Sequence, residues 1–315
     1  MTAGGRPQET LVSEQSLDYA ACVRRSEAVA WRLDDVMPRG TRLDFTRPFM
    51  PEELARTSRI KLLDEAEQLR LNQITGNAYL NLFAFVEEFI IAMVVSLAQS
   101  ELSRDHDAIR ALSRFADEEV KHQQLFTRFR EAFDRDFGHP CAVLSSAADV
   151  SRIVLAKRPL AVLLLTLHLE LLTQRHYVAA VKDDRTLDPF FCSLLHAHWL
   201  EESQHARIDT LQMSKLAEGM SRASIEAAMH DYLAILEAFD GLLAEQARMD
   251  VDSIAMATGR TFDDAERAQV EAGQHSAYRH TFIVLGMTHP PFVATLRTLA
   301  PHESDTVIAA ASRYS

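Results

Sequence analysis

Glu119-Val120-Lys121-His122 and Glu202-Ser203-Gln204-His205 spell one pattern, Glu-x-x-His, twice in the chain, about eighty residues apart. Each copy lies in sequence of helical period. Upstream of each, a helix that is otherwise almost wholly apolar carries a glutamate: Glu87, with Glu88 beside it as the alternative, before the first copy, and Glu170 before the second. A lone glutamate followed by Glu-x-x-His, then both again, is the inward-facing ligand set of a four-helix bundle that holds two carboxylate-bridged metal ions. A chain of this composition contains about one Glu-x-x-His by chance. The reading therefore rests on the joint arrangement.

Helical neighbours stand three and four residues apart, so inward positions can be read off. On the second core helix Leu112, Phe115, Phe126, Phe129 and Phe133 form an apolar stripe, and Glu119 and His122 fall inside it. On the fourth, Leu195, His198, Glu202, His205 and Asp209 form a largely polar column. On the third, Leu163, Leu167 and Thr173 share a face with Glu170; on the first, Leu80, Phe83, Ala84, Ile91, Val94 and Ala98 share one with Glu87. Glu88 instead shares a face with Asn77, Asn81 and Gln99, a more solvated edge, so Glu87 is the preferred ligand. A buried, unpartnered carboxylate would take up a proton rather than stay charged. Two divalent cations remove that conflict, because four positive charges offset four glutamates. Oxygen and nitrogen donors without cysteine suit iron or manganese and argue against structural zinc.

Around this core the 315 residues, 47% hydrophobic and 25% charged, are ordinary for a globular protein. Ten glycines and ten prolines are few, which favours helix over a sandwich or barrel. A net charge of -12 without a Lys/Arg run argues against a nucleic-acid partner. Three scattered cysteines (Cys22, Cys141, Cys192) predict buried thiols and a cytoplasmic location. The apolar runs 83–97 and 160–172 carry acids and fall short of the roughly 20 residues a span needs, so no membrane segment is expected. Residues 1–10, read as disordered, show no secretory signal.

Helices are predicted over Ser13–Val36, from Pro51 to about Ser100 with Gly76 as a candidate break, and over Asp105–Phe137, Pro159–Lys182 and Pro189–Glu218. Two more cover Ser221–Asp250 and Thr261–Leu285, and a last short one follows Pro290-Pro291. Two core helices, a long connection at 138–158 and two more core helices give an all-α, ferritin-like four-helix bundle with one crossover. The expectation is one domain over 1–315, with the core at about 70–218 and helical additions at 13–69 and 219–315.

His198 lies one turn before Glu202, so three histidines and four glutamates share the site. This set resembles the diiron arylamine N-oxygenases of the p-aminobenzoate N-oxygenase type. The similarity covers roughly residues 70–215, including Leu71-Asn72-Gln73-Ile74 and Ala161–Tyr177. It implies that Glu87, Glu119, His122, Glu170, His198, Glu202 and His205 ligate two irons, with dioxygen as co-substrate. It further implies oxidation of a small organic molecule, such as N-oxygenation of an amine, through a peroxo-bridged diiron species. No residue of a substrate site matches the family. Asp209, one turn past His205, is expected to orient that imidazole, and Tyr177, two turns past Glu170, to approach the metals. No Gly-x-Gly-x-x-Gly and no cysteine cluster is present, so electrons are expected from an external reductase or ferredoxin. A homodimer is expected by analogy. Alternatives are a diiron C–H hydroxylase or desaturase, and a non-catalytic ferritin-like iron-binding protein. His275, Tyr278, Arg279 and His280 are further candidates in the 219–315 segment, with packing or surface roles the simpler reading.

Overall fold

The computed structural model describes residues 18–315, and among them every regular element is helical. In chain order these are α1 (Tyr19–Val29), α2 (Leu33–Val36), α3 (Glu52–Ala55), α4 (Glu65–Glu101), α5 (His106–Asp136), α6 (Ala147–Leu155), α7 (Pro159–His176), α8 (Pro189–Ala217), α9 (Arg222–Thr258), α10 (Asp264–Tyr278), α11 (Leu285–Met287), α12 (Pro290–Leu299) and α13 (Ser304–Ala310). The ferritin-like core is α4, α5, α7 and α8. The pairs α4–α5 and α7–α8 are joined by the long 137–158 connection, which carries α6. The N-terminal helix α1 packs on α5 and α8, while α9 crosses α4 and α7 on another face. That cover explains α7, whose residues from Leu160 to Thr173 are all buried: an apolar surface all round needs neighbours all round. The apolar stretch of α4 is long enough to cross a membrane by composition alone, yet more than half of it is packed inside the bundle, as in a core helix.

Several element boundaries differ from expectation for local reasons. The predicted first helix is two helices parted at Ala30–Arg32, where Trp31 turns in to stack on His122 and its carbonyl accepts from Lys121; positions 1–17 lie outside the described residues. The run from Pro51 stops after one turn, at Arg56, whose φ of 52° is left-handed. Helix resumes at α4, where Asp64 and Glu67 form a reciprocal capping box. Gly76 does not break α4. A Cβ there would come within 2.9 Å of the Phe49 Cβ, so the glycine permits close approach of the 44–51 segment, which Asn72 and Gln73 hold through its backbone. Helix α9 runs eight residues past Asp250, and α13 follows α12.

The third core helix loosens into a π turn at Tyr177–Val181, and a second π turn, Arg279–Val284, links α10 to α11. Wide turns shift backbone carbonyls out of α register. Two histidines of α7 take up those of the second turn. His176 Nε2 lies 3.1 Å from the Thr281 carbonyl and His168 Nε2 lies 2.9 Å from that of Phe282. Donation there leaves each Nδ1 to accept, from Tyr79 Oη at 2.8 Å and Tyr232 Oη at 2.7 Å. Burial pushes both imidazoles down, His168 to about 4 and His176 to about 3, so both are neutral at physiological pH. Gly286 lies where a Cβ would strike the His168 ring. Gly286→Ala should therefore cost about 1–3 kcal/mol by overpacking, read as a lowered thermal midpoint. A midpoint equal to the parent's would show that the ring has room to shift.

Candidate metal centre

Each core helix delivers its acid to one level of the bundle, and all seven candidate residues are at most 4% exposed. Two clusters form. In one, Glu87, His122 and His198 face one another; in the other, Glu119, Glu170, Glu202 and His205 do. The carboxylates of Glu119 and Glu202 reach both. Glu202 Oε1 lies 2.9 Å from His198 Nε2 and 3.2 Å from His122 Nδ1, while its Oε2 lies 3.5 Å from His205 Nδ1. Glu119 mirrors this, with Oε1 3.0 Å from His205 Nδ1 and Oε2 3.6 Å from His122 Nδ1. Glu87 and Glu170 then stand at opposite ends, Glu87 Oε1 3.4 Å from His198 and Glu170 Oε2 3.8 Å from His205 Nδ1. Glu88 points to a partly exposed edge and joins neither cluster.

The electrostatics show what the residues lack. Burial, then the charge on Glu119, pushes Glu87 up to about 8; burial and Glu202 hold Glu170 well above the carboxylate range. Burial alone would lower His122 and His205, but the surrounding carboxylates hold both well above the ordinary imidazole value. Protons thus take up the charge where cations would otherwise sit. Among the described residues, both oxygens of Glu87 and of Glu119, one each of Glu170 and Glu202, and the Nδ1 atoms of His122 and His205 are buried without a hydrogen-bond partner. A convergent set of orphaned oxygens and imidazole nitrogens fits two divalent cations.

Behind the clusters lies a crossed brace that the sequence reading missed. The residue before each Glu-x-x-His is also glutamate, and each such acid serves the other helix. Glu118 Oε2 accepts from His205 Nε2 at 2.8 Å, and Glu201 Oε2 from His122 Nε2 at 3.0 Å. The residue before each histidine repeats the exchange: Gln204 donates to Glu118 and Lys121 to Glu201. Ser26 of α1 also donates to Glu118. Burial would raise Glu118, but its bond from His205 prevails and holds it below the usual range, so it is ionised. The available signal was Glu118-Glu119 and Glu201-Glu202, a doubled acid in both copies.

Two expectations are corrected. His205 is oriented by Glu118, not Asp209; Asp209 is buried near the imidazole with an unpartnered Oδ2, and burial keeps its carboxyl well above the usual range. Tyr177 stands on the outer side of the π turn, stacked on Trp199 at 4.7 Å and tilted against exposed His196 at 5.2 Å, and lines a surface pocket. Of the C-terminal candidates, Tyr278 donates to buried Asp250, His275 and Arg279 bind Asp240, and His280 is half-buried; all four pack or brace.

Residues 12–284 match the family described as p-aminobenzoate N-oxygenase AurF. The chain belongs to that family. It is accordingly a dioxygen-dependent oxidoreductase of the non-haem diiron class, and the buried Glu/His clusters fit its metal site. No curated protein sequence matches the chain. Solved structures of an R2-like ligand-binding oxidase are similar in outline. One with an aerobically reconstituted Mn/Fe cofactor is 13% identical, with 88% of this chain and 97% of that chain covered and a TM-score of 0.46. A point mutant of that oxidase with an aerobically reconstituted Fe/Fe cofactor is also 13% identical, with 88% of this chain and 98% of that chain covered and a TM-score of 0.46.

Proposed function

We propose that Glu87, Glu119, His122, Glu170, His198, Glu202 and His205 hold two iron ions and that the enzyme oxygenates a small organic molecule, an amine nitrogen being the first reading. The observation that carries this is the pair of clusters sharing Glu119 and Glu202, whose orphaned donor atoms converge without a protein partner. When bound, the metals supply dioxygen reduction and oxygen transfer. The chain's own residues do the rest. Glu119 and Glu202 set the spacing of the two sites, and Glu87 and Glu170 close their ends. Glu118 and Glu201 hold the imidazoles with Nδ1 inward. Phe115, stacked on His205 at 3.8 Å, and Phe126, edge-on to His198 at 5.1 Å, keep water from the donor set. One iron would have an additional histidine, His198, so the two sites are unequal.

An external reductase or ferredoxin would return the electrons, and a cytoplasmic homodimer completes the proposal. C–H hydroxylation or desaturation is the second reading. It is favoured by an apolar chamber behind α4 and α7 whose wall offers no side-chain acceptor for an amine. Metal content per chain, by elemental analysis after anaerobic Fe(II) loading and desalting, tests the site. Dioxygen uptake with an arylamine beside a hydrocarbon-like substrate separates the readings. Two retained irons are expected, and a folded protein that retains none overturns the proposal.

A further inference from the structure

Two asparagines one turn apart on α4 are treated differently by the fold. Asn81 has both ends of its amide engaged: Nδ2 donates to the Leu144 carbonyl at 3.1 Å, and Oδ1 accepts from Arg130 Nη1 at 3.0 Å. Asn77 is 1% exposed, and among the described residues neither its Nδ2 nor its Oδ1 finds a partner. A buried amide unpaired at both ends destabilises the fold that carries it, and an apolar side chain of like shape would remove that cost. The amide lines a slot of about 290 Å³ between α4 and α5. Asn81 and Ala84 continue its α4 wall, and Phe126, Arg130 and Asp134 stand opposite on α5. A cavity of roughly 150 Å³ takes up a benzene-sized guest, so the slot has room for one ring and a polar group.

The slot is apolar at one end and charged at its mouth. Ala84 and Phe126 lie about one helical turn from Glu87 and His122. Phe126 is 2% exposed, and its ring is edge-on to His198 at 5.1 Å. The slot therefore stops one aromatic ring short of the metal clusters. At the mouth the side chains of Arg130 and Asp134 are 43% and 51% exposed, and exposed Glu131 joins them. Two carboxylates beside a guanidinium already bound to Asn81 disfavour an anionic guest. The open valences are inside, one donor and one acceptor side by side on Asn77.

We propose that this slot is a ligand site for a neutral carboxamide carried on or within a ring. A primary amide or a lactam presents its N–H and carbonyl on the same side. The N–H would donate to Asn77 Oδ1, the carbonyl would accept from Asn77 Nδ2, and the ring would rest against Ala84 and Phe126. Such a guest completes at Asn77 the pairing that Leu144 and Arg130 complete at Asn81. The site stands apart from the metal ligands and does not depend on the oxygenase reading.

Calorimetric titration of the full chain with benzamide, acetophenone and benzamidine tests this without reference to turnover. Benzamide is expected to bind roughly tenfold more tightly than acetophenone, which has its shape and carbonyl but no N–H to donate. Asn77→Leu should remove that preference. It should also raise the thermal midpoint of the ligand-free protein, because an orphaned amide leaves the interior. Asn77→Asp should transfer the preference to benzamidine, whose two N–H groups on one side meet a carboxylate; a misfolded variant could not gain this. Equal binding of benzamide and acetophenone, or a preference that survives Asn77→Leu, overturns the pairing with Asn77. Binding of none of the three probes overturns the site. A lowered midpoint in Asn77→Leu together with no benzamide binding by the parent would show that ordered water already satisfies the amide, which overturns the proposal as well.

Discussion

Glu202→Gln is expected to leave the protein without tightly held iron, whereas His198→Ala should leave one iron tight and one weak. The difference follows from reach. Glu202 presents Oε1 to His198 and His122 and Oε2 to His205, so it belongs to both clusters. Among the carboxylates of the described residues His198 contacts Glu87 and Glu202 alone, within one cluster. The glutamine keeps the side-chain volume, so the fold should persist, and removing one of four crowded acids lowers the repulsion in the metal-free protein. Cations that bind only the folded state raise the thermal midpoint. Fe(II) should therefore raise it in the parent, less in His198→Ala and hardly at all in Glu202→Gln. Iron per chain after desalting, with far-ultraviolet circular dichroism as the check on folding, decides the matter. Equal iron loss in the two variants would contradict a shared Glu202.

The bundle was readable because its code is local. Acids and imidazoles at helical spacing inside apolar stripes announce four helices and the level at which they meet, and the long gap between 137 and 159 announces the crossover. Glu87 could be preferred over Glu88 on periodicity alone. What stayed hidden depends on contacts between distant segments. Nothing near Gly76 says that Phe49 packs against it, and a helical pattern through Trp31 does not reveal that the ring is wanted against His122. Asp209 sits at a spacing suited to orient His205, but the opposite helix supplies a better-placed acid, and helix-to-helix register is not written in either helix. His168 and His176 read as ordinary members of an apolar helix. Their task, accepting tyrosine hydroxyls while serving the carbonyls of a π turn, needs α9 and the 279–284 segment in place.

The crossed brace yields the second large effect. A histidine that donates its outer N–H to a carboxylate is fixed in tautomer and ring orientation and made more basic at its inner nitrogen, and losing such a partner costs about 10–100-fold in metal affinity. Here the two partners act on different clusters. Glu201 holds His122, whose Nδ1 faces Glu202 and Glu87; Glu118 holds His205, whose Nδ1 faces Glu119 and Glu170. Glu201→Gln should therefore weaken the site that also contains His198, and Glu118→Gln the other, each by about 10–100-fold in anaerobic Fe(II) titration. Glutamine still offers a carbonyl oxygen to the imidazole N–H, so ring orientation survives in part and the loss falls mainly on basicity. Alanine should do more damage at either position, because it also strands an imidazole N–H in the interior: that of His122 beside Glu201, that of His205 beside Glu118. Combining either glutamine change with His198→Ala separates this from a general loosening of the bundle. Glu201→Gln and His198→Ala act on one site and should leave the other iron tight, whereas Glu118→Gln with His198→Ala should weaken both. If all pairings lower both sites alike, the glutamates stiffen the bundle without addressing particular irons, and the assignment of each brace to one metal is wrong.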